Sequence, residues 1–222
     1  MLQFERQAWG RGVCRLAGVD EAGRGPLAGP VVAAAIVFEK PFLEAEQYGC
    51  LKSVNDSKLL KPHERDLLFA LLTEKCPCVF GLGIASVDEI DSLNILRATH
   101  LAMGRAIQAV SPLPDFVLVD GLPVPGLPCP SLAIVQGDGR SLSIAAASII
   151  AKVTRDRMME KLDRQYPQYS FMRHKGYGTR MHMKALLEYG PCPAHRRSFR
   201  PVQEALRLHG GVDSELDLDG GA

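Results

Sequence analysis

Unbroken apolar runs, each closed by turn residues, set the pattern of this chain. Leu16-Ala17-Gly18-Val19 leads into Asp20-Glu21, and Val31 to Phe38 is apolar at every position. Between them lies Ala22-Gly23-Arg24-Gly25-Pro26-Leu27-Ala28-Gly29-Pro30. This predicts a strand with an acidic end, a tight loop and a second strand. Glu39 to Lys61 then reads as a surface loop. Pro62 fits the first position of a helix, and Glu64 to Glu74 carries a helical pattern. Val79 to Val87 is strand-like. Asp88 to Val110 predicts one long helix, with apolar residues at 90, 93, 96, 101, 103 and 107, and Ser111-Pro112-Leu113-Pro114 breaks it. Phe116-Val117-Leu118-Val119 and Leu132-Ala133-Ile134-Val135 read as buried strands. A helix is expected from near Ser141 to Arg164, and a last short one over Val202 to Leu208. Strands that alternate with helices after an early hairpin imply an α/β fold, a mixed sheet with helices on its faces.

Carboxylates recur at the strand ends. Asp20-Glu21, Asp120 and Asp138 each follow an apolar run. Any one of them reads equally well as a turn residue, and a bare Asp-Glu pair reads as a hairpin turn. Their recurrence points to a shared site. Asp and Glu are poor strand formers, are costly to bury unpaired and repel one another. They call for a basic side chain or a metal ion beside them. Hard oxygen donors suit Mg²⁺ or Mn²⁺, and two such ions can hold both the attacking water and the leaving oxygen of a phosphodiester. The histidines, at 63, 100, 174, 182, 195 and 209, are scattered and read as structural.

Charge changes the picture more through its distribution than through its total. The net charge is +1, but residues 1–151 carry −3, residues 152–200 carry +8 and residues 201–222 carry −4. A concentrated positive segment suggests a polyanion partner, although a solvated helix face would look the same. The 6 cysteines form no Cys-x-x-Cys pair, which fits reduced thiols in a cytoplasmic protein. Met1 to Arg15 is polar and has no secretory apolar core. The apolar-rich run Leu142 to Ala151 is too short to span a bilayer. No membrane association is therefore expected.

The longer motifs carry a resemblance. Gly18-Val19-Asp20-Glu21-Ala22-Gly23-Arg24-Gly25-Pro26-Leu27-Ala28-Gly29-Pro30-Val31-Val32 resembles the signature of the type 2 ribonuclease H family, ribonuclease HII. Asn55-Asp56-Ser57-Lys58-Leu59-Leu60, Val119-Asp120-Gly121 and Gly137-Asp138-Gly139 resemble its next three blocks, the last followed by Ser143 to Asp156. His174-Lys175-Gly176-Tyr177-Gly178-Thr179 and His195-Arg196-Arg197-Ser198-Phe199 resemble its C-terminal blocks. The likeness implies a ribonuclease H-like five-stranded mixed sheet flanked by helices. A catalytic domain is expected over 1–164 and, from the charge and pattern of the chain, a small helical basic extension over 165–209; the acidic, glycine-rich composition of 210–222 predicts a disordered tail.

The resemblance also implies Asp20, Glu21, Asp120 and Asp138 as catalytic metal ligands, with two Mg²⁺ or Mn²⁺ ions acting during catalysis. The implied reaction is endonucleolytic cleavage of the RNA strand in RNA–DNA hybrids and of duplex DNA at embedded single ribonucleotides. It leaves 3′-hydroxyl and 5′-phosphate ends and serves ribonucleotide excision repair and DNA replication. Gly23, Arg24 and Gly25 would read the 2′-hydroxyl through their backbone, and Tyr177 would contact that ribose. Ser57, Lys58 and Lys152 are further substrate contacts, the two lysines toward phosphate. A 2′-hydroxyl is what separates RNA from DNA at a given position.

One departure is Gln136, where many members carry Lys. Asp138 as the fourth carboxylate sets the chain apart from the sister enzyme ribonuclease HIII, which has Glu there. The rivals are a non-catalytic nucleic-acid-binding module and another nuclease of the same fold, such as a junction resolvase. The tail segment Glu215-Leu216-Asp217-Leu218 loosely resembles peptides that dock into the sliding clamp but lacks their aromatic anchor. A dispensable tail and a monomer are expected.

Overall fold

A computed structural model describes residues 1–44, 51, 54 and 60–210. Strand β1 (Leu16–Ala22) pairs antiparallel with β2 (Val31–Phe38), and β2 pairs antiparallel with β3 (Cys78–Ala85). On its other side β1 pairs parallel with β4 (Phe116–Asp120), which pairs parallel with β5 (Ser131–Ile134). The result is one mixed five-stranded sheet in the order β3-β2-β1-β4-β5. All eight residues of β2 are buried, as expected of a strand with no polar face.

Helices follow from local signals. α3 (Pro62–Glu74) has its proline at the first position, and the Glu64 side chain accepts from the Lys61 N–H at 2.7 Å. The single helix expected over 88–110 is two helices, α4 (Val87–Leu93) and α5 (Ile95–Gln108). The break is Asn94, with φ 71°. Asparagine tolerates positive φ better than most side chains. Ser86 and Glu89 cap α4 reciprocally. Two further helices fall where none is expected: α1 (Gln3–Gly10) in the polar N-terminus and the short α2 (Lys40–Glu44) in the expected loop.

α6 (Leu142–Gln165) is the longest helix described, at 24 residues. Ala145, Ala146 and Ala147 are fully buried. They pack in a core with Ala34 and Ile36 of β2 and Leu68 and Leu72 of α3. The approach to the sheet is closer still at Gly18. A Cβ there would collide with the Ser143 backbone. On β3, a Cβ at Gly83 would collide with the Ala102 carbonyl of α5. Both glycines are demanded by backbone proximity.

Two compact units emerge. The first holds Met1–Arg24, Val31–Ala85 and Leu96–Arg155, hence the whole sheet. The second gathers Gly25–Pro30, Ser86–Ile95 and the chain from Asp156 on. Within it, α7 (Phe171–His174) and α8 (Arg180–Tyr189) contribute to a core of Tyr169, Phe171, Ala28, Met159, Ala185 and Cys192, while α9 (Arg200–Gly210) packs Val202 and Ala205 with Leu27 and Leu186.

Candidate active site

In the first unit the carboxylates stand where the strands end. The parallel register Val19↔Val119 puts the next residues, Asp20 and Asp120, at the same level of neighbouring strands. Across the antiparallel pair, Asp20 and Glu21 face Ala34 and Ala33, whose small side chains leave room. Asp138 enters from a 3₁₀ turn, Gly137–Gly139, just beyond β5. The Gly137 N–H donates to Asp120 Oδ1 at 2.7 Å, tying this turn to the end of β4.

Asp20 and Asp138 are buried, whereas Glu21 and Asp120 are half-buried. Burial drives the Asp20 carboxyl well above the usual carboxylate range, and the negative charges of Glu21, Asp120 and, least, Asp138 add to it. The Glu21 N–H, which donates to Asp20 Oδ1 at 2.7 Å, opposes the rise. Burial also raises Glu21, while Arg24, with Nη1 3.4 Å from Glu21 Oε1, holds it back. Asp20 thus feels the charge of the other three carboxylates expected from the sequence, and Glu21 that of Asp120. Among the described residues no group of three or more His, Cys, Asp or Glu side chains is already drawn together tightly enough to hold a metal ion. The donor set itself, all hard oxygen and partly desolvated, fits Mg²⁺ or Mn²⁺.

Arg24 and Gly25 are exposed and Gly23 is buried. Lys152 is half-buried in the third turn of α6. Ser57 and Lys58 lie outside the described residues.

In the second unit Gly25 lies against the half-exposed Tyr177 ring. The stretch 25–30 is strapped by the C-terminal blocks. The Leu27 N–H donates to Gly176 O at 2.8 Å, Gly29 N–H to Ala194 O at 2.8 Å and Arg196 N–H to Leu27 O at 2.9 Å. The fully buried Arg196 also donates from Nε to Gly29 O at 2.9 Å and from Nη2 to Pro30 O at 3.4 Å.

Sequence spacing misses the histidines that support this strap. His174, His182 and His195 gather, with the His174 and His182 rings stacked 4.4 Å apart. The Cys192 N–H donates to His195 Nδ1, so His195 carries its proton on Nε2 and donates it to His182 Nε2 at 3.0 Å. His182 then donates from Nδ1 to the Tyr177 carbonyl at 2.9 Å. Both rings are neutral, and burial pushes each down to about 4. The available signal is that His174 and His195 each open one of the C-terminal blocks that resemble the family's.

The family model for Ribonuclease HII matches residues 17–202. The chain belongs to the ribonuclease HII family. Members are endoribonucleases, phosphodiester hydrolases, and so is this chain. The ribonuclease HII of Geobacillus kaustophilus is 52% identical over 207 residues, covering 93% of this chain and 76% of that protein. The crystal structure of the ribonuclease H2 from Pyrococcus horikoshii superposes with a TM-score of 0.70 at 28% identity, covering 88% of this chain and 99% of that one. Bst-RNase HIII in complex with Mn²⁺ shares the fold, with a TM-score of 0.65 at 18% identity over 88% of this chain and 70% of that one. No helix among the described residues of this ribonuclease HII-family chain is long and apolar enough to cross a membrane.

Proposed function

We propose that this enzyme hydrolyses the RNA strand of RNA–DNA hybrids and nicks duplex DNA at embedded single ribonucleotides, by two-metal-ion catalysis. The observation that carries the reading is geometric: the β1–β4 register sets Asp20 and Asp120 level on neighbouring strands, Glu21 follows Asp20, and the turn bearing Asp138 is tied to Asp120. The acids would hold two Mg²⁺ or Mn²⁺ ions, which supply Lewis acidity for the attacking water and the leaving 3′-oxygen. Asp20 and Asp120 hold the centre, being fixed by adjacent strands. Asp138 closes it from the turn that Asp120 itself anchors. Water adds to phosphorus, the bond to the 3′-oxygen breaks, and the proton ends on that oxygen. The products are a 3′-hydroxyl and a 5′-phosphate.

Recognition falls to groups that can meet a 2′-hydroxyl: the backbone of Gly23, Arg24 and Gly25, and the Tyr177 ring. Ser57, Lys58, Lys152 and the basic segment serve the phosphates. The enzyme is proposed to act as a cytoplasmic monomer in ribonucleotide removal, with residues 165–209 as its basic extension and 210–222 as a dispensable tail. The test compares a duplex with one ribonucleotide, an RNA–DNA hybrid and an all-DNA duplex, each with Mg²⁺, Mn²⁺ or chelator. Metal-dependent cleavage of the first two only, with the stated ends, is expected. Equal cutting of the all-DNA duplex, or full activity in chelator, would overturn the reading.

A further inference from the structure

Glu5 of α1 is wholly buried and takes no part in the sites above. Its Oε1 accepts from the Ser141 hydroxyl at 2.6 Å and from the Ser143 N–H at 3.0 Å. Its Oε2 is buried with no hydrogen-bond partner. The first turn of a helix has N–H groups without intrahelical partners, and its dipole favours negative charge. A carboxylate from a distant element thus caps α6.

The bonds continue from there to the acids. The Ser141 hydroxyl accepts from the Ile144 N–H at 3.2 Å, and the Ser141 N–H donates to Gly137 O at 2.8 Å. The Gly137 N–H in turn donates to Asp120 Oδ1 at 2.7 Å. Asp138 is the next residue of that turn. The N-terminal segment is fastened here twice more. The Leu142 N–H donates to Met1 O at 2.9 Å, and the Arg140 guanidinium lies 5.1 Å from the Phe4 ring centroid. Ser141 alone would cap α6 adequately. A buried carboxylate with one oxygen unsatisfied is a costly alternative, and its bonds converge on the segment that presents Asp138.

We propose that Glu5 is a positioning residue for Asp120 and Asp138, acting through Ser141 and Gly137. The proposal rests on the reading of those two acids as catalytic. Glu5→Ala, Glu5→Gln and Ser141→Ala are compared with Leu72→Ala, a cavity control in the core that has no bond to the turn. The readouts are kcat and KM on a hybrid, and hydrogen exchange of the Gly137 and Ser141 amides without metal. Glu5→Ala is expected to lower kcat roughly tenfold to hundredfold, the scale of small misplacements of reacting groups. KM should hold steady and both amides should exchange faster. Glu5→Gln, which keeps an acceptor oxygen, should restore most of the rate. Unchanged kcat and exchange in Glu5→Ala would overturn the proposal, as would Leu72→Ala reproducing both effects. If Glu5→Ala does not fold, Ser141→Ala decides by the same criteria. Full activity in Asp120→Asn and Asp138→Asn would instead sink the reading of the acids, while the exchange result would still show whether Glu5 holds the turn.

Discussion

The two units solve opposite problems with buried polar groups. The first gathers like charges at its strand ends and leaves them in tension, so that burial and repulsion push Asp20 and Glu21 up together. The second buries polar rings and a guanidinium but satisfies them. His195 donates to His182, His182 to the Tyr177 carbonyl, and Arg196 to two carbonyls of the 25–30 stretch. Tension fits the cation site proposed for these acids, whereas satisfaction suits a scaffold. The contrast teaches that burying polar groups does not by itself mark a catalytic centre; the sign and the pairing of the groups decide.

The sharpest way to break the contrast is to remove a charge from the tense side. Asp120→Asn and Asp138→Asn should each slow cleavage by on the order of 10²–10³-fold or more, the scale of losing a preorganised electrostatic group. Asp20→Asn should be as inactive, yet melt higher than the parent in chelator, because it removes repulsion. Calorimetry beside a cleavage assay checks both halves. An active Asp120→Asn protein, or an Asp20→Asn protein that melts lower, would mean that the acids are neither catalytic nor strained.

On the satisfied side, Tyr177→Ala should lower kcat/KM at a single embedded ribonucleotide by about tenfold, roughly 1.4 kcal/mol, with Tyr177→Phe falling less. Steady-state kinetics on that substrate decides it, and unchanged values would free Tyr177 from ribose recognition. Arg196→Met is expected to cost stability first. It strands the Gly29 and Pro30 carbonyls, and an unsatisfied buried group costs about 1–3 kcal/mol. The melting temperature should drop by several degrees, and an unaltered one would show that the strap holds without the guanidinium.

Acid should separate the units by sign. The folded pKa of His182 and His195 lies near 4, below the unfolded value of about 6.5. The unfolded chain therefore binds protons first, and this contribution to stability, intact above pH 6.5, drains away as pH falls toward 4. Asp20 is raised, so the folded state binds its proton first, and acidification relieves the first unit. Hydrogen exchange from pH 7.5 to 4.5 in chelator should show amides of the second unit losing protection before those of the sheet. Uniform loss across both would contradict the assignment.

Much of this was readable from the chain because local pattern and tertiary need agree there. The apolar run of β2 and the acids in the last residues of β1 and β4 are signals a few residues long, and the structure puts them at the strand ends that the pattern implies. Asn94 was missed because an apolar period runs through it, while a single backbone angle ends the helix. α1 was missed because its stability comes from contacts made by Glu5 and Ala8 with distant residues, not from its own eight. The histidines look scattered in the sequence because 8 and 13 residues of chain separate rings that meet in space, His174 stacked on His182 and His182 hydrogen-bonded to His195. Long-range pairing of this kind leaves little local trace.

The bare α-carbon of Gly18 has a mechanical consequence. Strand and helix meet there backbone to backbone, with no side chain between them to yield. Such a contact is a hard stop, and both surfaces take their position from it. Asp20 lies two residues along one surface and Asp138 five residues before Ser143 on the other. The two acids therefore take their spacing from a common reference, and a single added methyl group at position 18, which would collide with the Ser143 backbone, would reset it.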